Sequence, residues 1–290
     1  MKLFQDLISI MPLAKCFKGW KFKLFQIPIV LLLLAQPVYA QQDSLHLLRT
    51  FHTDVVQLAA DNLDNLYVLS STGQLKKYNA QGDSVGVYNQ VRRFGKVQAI
   101  DVSNPLKLLL FYKDFSTVVI LDRLLTQRAT VDLRRSNIIQ TSAVSLSYDG
   151  NIWLFDEYEN KLKKLDEQGT VLLETPDFRT LFPDAVQPQQ ILDASGMLYL
   201  YDSENGVYLF DHYGSFKKKL PITGWQRIAV FNNYITGIQG SSLEYFNTAT
   251  LLSGERKLPF ILEPQQQIQM ANGKLFCWTA DSVSVFNYPL

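Results

Sequence analysis

Short runs of apolar and aromatic residues alternate with polar turns along most of this chain. The turns are rich in Asp, Asn, Ser and Gly, and each leads into a run of Leu, Ile, Val and aromatic residues. Examples occupy residues 64–69, 149–155, 195–201 and 272–278. Because Asp-Gly and Asn-Gly adopt a positive φ at little cost, this pattern predicts β-hairpins. Residues 44–290 contain no helical periodicity sustained over three turns, so we expect an all-β fold.

A second kind of turn carries a repeated signature, an Asn or Asp preceded by Tyr, Leu or Phe. Its members are Asn79, Asp122, Asp166, Asp211, Asn247 and Asn287. The steps between them are 43, 44, 45, 36 and 40 residues, a period typical of one four-stranded propeller blade. Such a side chain can accept a hydrogen bond from the backbone two residues further on, and Gly82, Gly169 and Gly214 follow three residues after it. The repeat predicts a six-bladed β-propeller.

The period places the blades at residues 55–89, 97–135, 142–178, 188–222, 225–260 and 264–290. The last blade ends just after its Asx residue, with no room for a fourth strand. The segment 44–51 precedes the first blade and belongs to none. We expect this segment to be the outermost strand of the last blade, with Leu45, Leu47 and Phe51 on its inner side. Such pairing closes the ring and removes exposed sheet edges.

These features resemble those of the broad group of six-bladed propellers that includes NHL-repeat, TolB-like and gluconolactonase-like domains, here of a secreted bacterial type. The resemblance rests on the turn, the strand, and the second strand that ends in Asp or Asn before a glycine turn. It covers nearly all of residues 44–290. It implies an architecture and no single function, because unrelated activities share such scaffolds. The gluconolactonase-like relatives hold a divalent metal in the central channel, so a channel hydrolase or lactonase is the alternative function that the resemblance leaves open.

The first forty residues have a different composition. A basic segment at 15–23 precedes the apolar run 27–35, and small residues occupy the cleavage positions of 38–40. This order predicts a secretory signal peptide that is cut before Gln41, although Met11 is an alternative start. An uncleaved anchor helix is the other interpretation, for which the run is short. We expect a single propeller domain at 41–290, periplasmic or extracellular, with no membrane span after cleavage.

The charge of the chain argues against one class of partner, and its cysteine content argues against a disulfide. Residues 1–40 contain five lysines and one aspartate, and their removal leaves 23 basic and 26 acidic residues, a formal charge of −3. This balance argues against nucleic acid as a partner. Cys277 is then the one remaining cysteine, so we expect a buried structural thiol and no intrachain disulfide. The lysines at 217–219 predict a solvated outer strand.

Residues able to carry out catalysis are sparse. His46 and His52 fall in or near the closing strand and His212 in an Asx turn, and no two are at the spacing of a shared metal site. The innermost strands carry almost no carboxylates except Asp101 and Asp193 at their far ends. A hard cation needs several charged oxygens. The sequence therefore predicts no catalytic residue, no metal and no cofactor.

Glutamine recurs near the start of the innermost strand in five of the six blades. The candidate channel-mouth residues are Gln57, Gln98, Gln190, Gln226 and Gln267. Their amides could bind a peptide or a sugar, or they could satisfy one another in a wet channel, because buried amides must be hydrogen-bonded. The sequence leaves both interpretations open.

Arginine and phenylalanine recur in the connections between one blade and the next. The candidate binding residues are Arg92, Arg93, Phe94, Arg134, Arg135, Phe178, Arg179 and Phe182. In a propeller these connections emerge on one face, where arginine and aromatic residues are favoured at interaction hot spots. The other interpretation is that the arginines only pair with carboxylates of adjacent loops. The predicted function is a non-enzymatic scaffold that binds an envelope protein, a peptide or a glycan.

Overall fold

The computed structural model describes residues 45–258, 260–263 and 265–288, and they form six four-stranded antiparallel sheets arranged in a ring. The predicted all-β, six-bladed propeller is confirmed. We name the strands of a blade a to d from the channel outwards, so that each blade has an a–b, a b–c and a c–d turn and is followed by a d–a connection. The predicted signal peptide, residues 1–40, and its cleavage site lie outside the described residues.

The first blade consists of β2 (Gln57–Ala60), β3 (Leu66–Leu69), β4 (Leu75–Tyr78) and β5 (Ser84–Tyr88). The second consists of β6 (Ala99–Asn104), β7 (Lys107–Tyr112), β8 (Thr117–Asp122) and β9 (Gln127–Asp132). The third consists of β10 (Thr141–Leu146), β11 (Ile152–Asp156), β12 (Lys161–Leu165) and β13 (Val171–Glu174).

The fourth blade consists of β14 (Gln190–Ala194), β15 (Met197–Asp202), β16 (Gly206–Phe210) and β17 (Phe216–Leu220). The fifth consists of β18 (Ile228–Phe231), β19 (Tyr234–Gln239), β20 (Ser242–Asn247) and β21 (Ser253–Lys257). The last consists of β22 (Gln267–Ala271), β23 (Lys274–Trp278), β24 (Ser282–Asn287) and β1 (His46–His52). Single-turn helices occupy three d–a connections, at Val91–Phe94, Leu133–Ser136 and Phe178–Leu181. In the described ranges no helix has the length and apolar character needed to cross a membrane.

The ring closes through β1, which pairs antiparallel with β24 and forms the outer edge of the last blade. This confirms the predicted closure. Leu45 and Phe51 pack against the core, as expected, but the inward position predicted for Leu47 is wrong, since its side chain is 57% exposed. A register shift between Leu47 and Arg49 inserts an extra residue into β1, and this bulge breaks the strict alternation that the prediction assumed.

The repeated Asx residues build the c–d turns of the first five blades. In each turn the side-chain oxygen accepts two backbone hydrogen bonds from residues further along the chain. Asp211 Oδ1, for example, accepts from Tyr213 N and Ser215 N, both at 2.9 Å. Gly214 then adopts a φ of 76°, whereas in the second blade Leu125 takes the equivalent position at a φ of 65°. The sequence repeat therefore reflects the same Asx-built c–d turn, which occurs once in each of these blades.

The hydrophobic core lies between neighbouring blades. Each of the six blade interfaces contains a cluster of buried residues drawn from both of its blades, counted over the described residues. Trp153, Tyr67 and Phe111 are among the largest fully buried side chains. Cys277 is buried, as predicted, and its burial raises the pKa of the thiol. The buried clusters together join the six sheets into one ring.

Candidate binding face and central channel

The three single-turn helices share one construction. Each begins with a buried apolar residue, which is Val91, Leu133 or Phe178. One or two exposed arginines follow directly. Burial of the first residue attaches the turn to the blades beneath it and leaves the arginines on the outside.

Two arginines join the d–a connections to the b–c turns. Arg92 Nη2 donates to Ser71 O at 2.5 Å, and Arg134 Nη2 donates to Asp114 O at 3.2 Å. Both acceptors are backbone carbonyl groups, which orient the guanidinium group without neutralising its charge. The connections and the b–c turns of the first two blades therefore share one face of the ring.

The other candidate arginines differ in how far their charge is balanced. Arg93 lies over the ring of Phe94, 5.3 Å from its centroid. Exposed Arg135 has its Nε 3.6 Å from Asp132, an ion pair too open to contribute much to stability. Arg179 instead binds Asp177 through Nε at 2.9 Å and Nη2 at 2.5 Å. This contact raises the pKa of Arg179 and lowers that of Asp177, so the charge of Arg179 is balanced within its own turn.

The phenylalanines predicted beside these arginines belong to the core. Phe178 is 1% exposed and stacks on Phe210 with 5.4 Å between ring centroids. Phe94 is half-buried against Tyr112, and Phe182 is half-buried in the aromatic cluster around Phe178. The expectation of an exposed anchor is therefore wrong for Phe178, because the first residue of the helical turn is its attachment to the blades.

Other apolar side chains are exposed on this face. Phe115 is 51% exposed in the b–c turn of the second blade, Tyr158 is 71% exposed in that of the third, and Ile139 is 63% exposed in the connection between them. A backbone hydrogen bond from Glu157 N to Gln140 O, 2.9 Å long, holds that turn and that connection together. A large apolar residue at the tip of a polar b–c turn was the sequence signal for Phe115. We call the following set the basic face: Arg92, Arg93, Lys96, Phe115, Arg134, Arg135, Ile139 and Tyr158.

The channel is lined by the first residues of the innermost strands. One cavity of about 190 Å³ is lined in part by Gln98, Gln190 and Gln226. A second cavity, of about 200 Å³, is lined in part by Gln226 and Gln267. The structure thus brings four of the five candidate glutamines to the channel cavities, whereas Gln57 lines neither.

The glutamines differ in their hydrogen bonding. Gln190 Nε2 donates to Ile228 O at 2.9 Å, and its Oε1 accepts from Ile228 N at 3.0 Å. Its amide therefore links the fourth blade to the fifth and is satisfied by the protein. The side chains of Gln98, Gln226 and Gln267 make no hydrogen bond with the described part of the chain, which leaves three amides available in the channel.

The carboxylates at the far end of the channel hold adjacent segments. Asp101 Oδ2 accepts from Ser145 Oγ and Leu146 N, both at 2.7 Å, and so joins the second blade to the third. Asp193 Oδ1 lies 3.0 Å from His212 Nε2. Within residues 45–258, 260–263 and 265–288 no three His, Cys, Asp or Glu residues are grouped so that they could hold a metal ion.

Sequence reasoning does not single out Arg227, which lines both cavities and a third one of about 360 Å³ further along the channel. It stands directly before Ile228, as Gln190 stands before Ile191 and Gln267 before Ile268. A cation at a position that is Gln or apolar in the other blades is the signal that could have identified it. Confinement within the ring lowers the pKa of Arg227, because the charged form is incompletely hydrated there.

The chain matches no protein-family model and none of the curated proteins by sequence. Among solved structures, a streptogramin B lyase is 15% identical, with a TM-score of 0.55 over 80% of this chain and 78% of that one. Virginiamycin B lyase from Staphylococcus aureus is 11% identical, with a TM-score of 0.58 over 83% of this chain and 99% of that one. BamB from Moraxella catarrhalis is 11% identical, with a TM-score of 0.51 over 84% of this chain and 100% of that one. At these identities the likenesses show the propeller fold alone.

Proposed function

We propose that this protein is a non-enzymatic scaffold of the cell envelope that binds another protein or a peptide through the basic face. The observation that carries the proposal is the combination of cations that no carboxylate neutralises with exposed large apolar side chains on a rigid ring. Arg92, Arg93 and Lys96 supply the charge beside Phe115. Interaction hot spots are enriched in arginine and aromatic residues of this kind. Export through the predicted signal peptide supports a location in the envelope.

The partner is expected to be acidic as well as apolar at its contact surface. A cavity of about 430 Å³ opens between the first two blades and is lined by Arg92 and Lys96 together with Val56, Val91 and Val97. Its cationic rim and apolar floor would suit an acidic side chain followed by an apolar one. Complementary charge of this kind speeds association and fixes orientation.

The alternative function, a hydrolase or lactonase with a channel site, has less support. Such a site needs convergent metal ligands or an acid–base pair free to act on a substrate. Asp101 and Asp193 are both engaged by neighbouring protein groups, and no described cluster of three metal-ligating side chains accompanies them. A glycan bound by the channel amides would be a second kind of ligand and would not require catalysis.

The experiment compares capture of envelope proteins by the tagged wild type and by a variant that combines Arg93→Ser, Lys96→Ser and Arg135→Ser. None of these side chains makes a hydrogen bond with the described chain, so we expect the variant to keep its fold. A matched variant, Arg128→Ser with Lys218→Ser and Lys257→Ser, removes three charges from exposed positions on outer strands. A single interface arginine can contribute about 2 kcal/mol, or roughly thirtyfold in affinity.

We expect the basic-face variant to lose the protein that the wild type captures, and the outer-strand variant to retain it. Both variants should melt within about 3 °C of the wild type, because exposed substitutions change stability little. Equal capture by the wild type and the basic-face variant would exclude this face as the binding site.

A further inference from the structure

The guanidinium group of Arg227 lies inside the ring, and the carboxylates that line one of its cavities, Asp61, Asp101 and Asp193, are each hydrogen-bonded to other groups. Arg227 forms no hydrogen bond and no ion pair with the described residues, although it lines three cavities. A guanidinium group that is not paired within the protein is free to bind an anionic ligand. The Arg227 side chain is exposed to the channel space, so a ligand can reach it. None of the residues that line these three cavities belongs to the basic face.

The cavity of about 200 Å³ beside Arg227 contains further polar groups that lack partners. It lies between the fifth and last blades and is lined by Gln226, Gln267, Gln269 and Trp278 as well as by Arg227. The side chains of Gln226 and Gln267 are exposed and make no hydrogen bond with the described part of the chain. Trp278 Nε1 and Gln269 Oε1 also lack a partner there, but both atoms are buried and do not reach the cavity surface. The available donors are therefore Arg227 and the amide N–H groups of Gln226 and Gln267, and the available acceptors are the oxygens of the same two amides.

The chemistry of these groups selects the class of ligand. A guanidinium group binds a carboxylate through two parallel hydrogen bonds, and one cation balances one negative charge. No lysine and no second arginine lines the three channel cavities formed by the described residues, so a dianion would be left with an unbalanced charge. The amide oxygens of Gln226 and Gln267 can accept from a donor on the ligand, and Ile238 and Ile268 provide apolar walls.

We propose that this cavity, the Arg227 pocket, binds a monocarboxylate that carries a hydrogen-bond donor close to the carboxylate. A free hydroxy acid and the C-terminal residue of a peptide, with its amide N–H, share this chemistry. A cavity of about 150 Å³ holds benzene, so the Arg227 pocket is large enough for a carboxylate with a small apolar or hydroxylated group. The remainder of a longer ligand would extend into the channel.

The test is calorimetric titration of the full-length chain with four probes. N-acetyl-L-leucine represents a peptide C-terminus, N-acetyl-L-leucinamide is its uncharged match, D-glucuronate represents a hydroxy acid, and inorganic phosphate represents a dianion. We expect at least one of the two acids to bind and the uncharged amide to bind at least about tenfold more weakly than its acid. Binding of N-acetyl-L-leucine alone would assign the source as a peptide C-terminus, and binding of glucuronate alone as a free hydroxy acid.

Arg227→Gln tests the residue itself. We expect this change to weaken binding of the acid about ten- to a hundredfold, because it removes a charge-assisted hydrogen-bond pair. Arg128→Gln, on the exposed outer strand β9, should leave binding unchanged. The proposal is overturned if neither acid binds at about 10 mM, if phosphate binds more tightly than both, or if Arg227→Gln binds as well as the wild type. If Arg227→Gln is poorly folded, the comparison of acid with amide on the wild type still tests the proposal. If the Arg227 pocket binds neither acid, the proposal for the basic face still stands, because the two sites have no residue in common.

Discussion

Single residues fix the turns of this propeller through backbone conformation. Gly206 opens β16 at a φ of 110°, and a Cβ built on it would lie 2.3 Å from Leu220 O. Gly196 has a comparable positive φ of 78°, but a Cβ there would meet nothing within 4 Å. Substitutions at the two glycines therefore distinguish two causes of lost stability, the strain of a positive φ and the clash of a Cβ with the neighbouring backbone.

We predict that Gly206→Ala lowers the free energy of unfolding by about 2–4 kcal/mol, because both strain and a clash with backbone act there. Gly196→Ala should lower it by about 1 kcal/mol through strain alone. Urea denaturation of the three proteins measures the difference. Equal losses for the two variants would show that the chain at Leu220 moves aside without cost.

A carboxylate in an Asx turn gives the protein part of its acid sensitivity. A hydrogen bond from Lys217 and backbone N–H groups lower the pKa of Asp211 from 3.8 to about 2. Because the folded-state pKa is the lower one, this stabilisation is complete above about pH 4 and is lost as the pH falls towards 2. Asn79 and Asn247 show that an amide builds the same turn.

We therefore predict that Asp211→Asn keeps the fold and loses less stability than the wild type between about pH 4 and pH 2. Asp184→Asn, which changes an exposed carboxylate, should lose as much stability over this pH range as the wild type does. Denaturation at several pH values provides the comparison. Parallel stability curves for the wild type and Asp211→Asn would contradict the role assigned to this carboxylate.

The roles of some residues follow from local sequence, whereas the roles of others depend on contacts between blades. The Asx turns follow from the hydrogen-bonding capacity of one side chain towards its own backbone, so the sequence suffices to predict them. The burial of Phe178 depends on Phe155 and Phe210 in two different blades, and no local pattern reports that contact. The position of Arg227 in the channel could not be predicted for the same reason, since the cavities that it lines form only in the folded ring.

At the scale of elements, closure of the ring depends on one strand that is distant in sequence. β1 pairs with β24 over most of its length, and Thr50 Oγ1 and Ser284 Oγ lie 3.0 Å apart between the two strands. Arg49 Nη1 also donates to Ala80 O in the first blade at 2.7 Å. Removing β1 would expose β24 as an unpaired edge.

We predict that deletion of residues 41–52 lowers the melting temperature by more than about 10 °C or causes aggregation. Leu47→Thr combined with Leu48→Thr is the matched control, because both side chains are exposed and threonine favours strands. Thermal unfolding followed by circular dichroism, with light scattering, makes the measurement. A deletion variant that melts like the wild type would refute closure by β1.

The repeat in the sequence predicts the arrangement of the strands but not the short helical turns. Blade number, strand order and closure follow from the repeat, because each unit must pair with its neighbours to bury its apolar faces. The strands fall within the predicted limits apart from Thr141, one residue early in β10, and His52, one residue beyond the predicted closing strand 44–51. The helical turns at Val91, Leu133 and Phe178 are too short to produce a helical period, so the sequence does not reveal them.

At the scale of the whole molecule, the ring carries two candidate binding regions that have no residue in common. The basic face lies on the b–c turns and d–a connections, and the Arg227 pocket lies within the channel. The sequence predicted which connections carry the arginines, since their positions follow from the blade period. It could not predict which aromatic residues are exposed there, because this depends on packing between blades.

The central claim is that the basic face contacts a protein partner, and site-specific photo-crosslinking in cells tests it most directly. A photoreactive phenylalanine analogue would replace Phe115 or Tyr158 on the basic face, and Leu63 or Leu106 on the a–b turns at the opposite end of the innermost strands. All four side chains are exposed, so the substitutions should preserve the fold. We predict crosslinks to one and the same protein from positions 115 and 158 and none to it from 63 and 106. Crosslinks to that protein from 63 or 106 alone, or no crosslinked protein from 115 and 158, would contradict the claim.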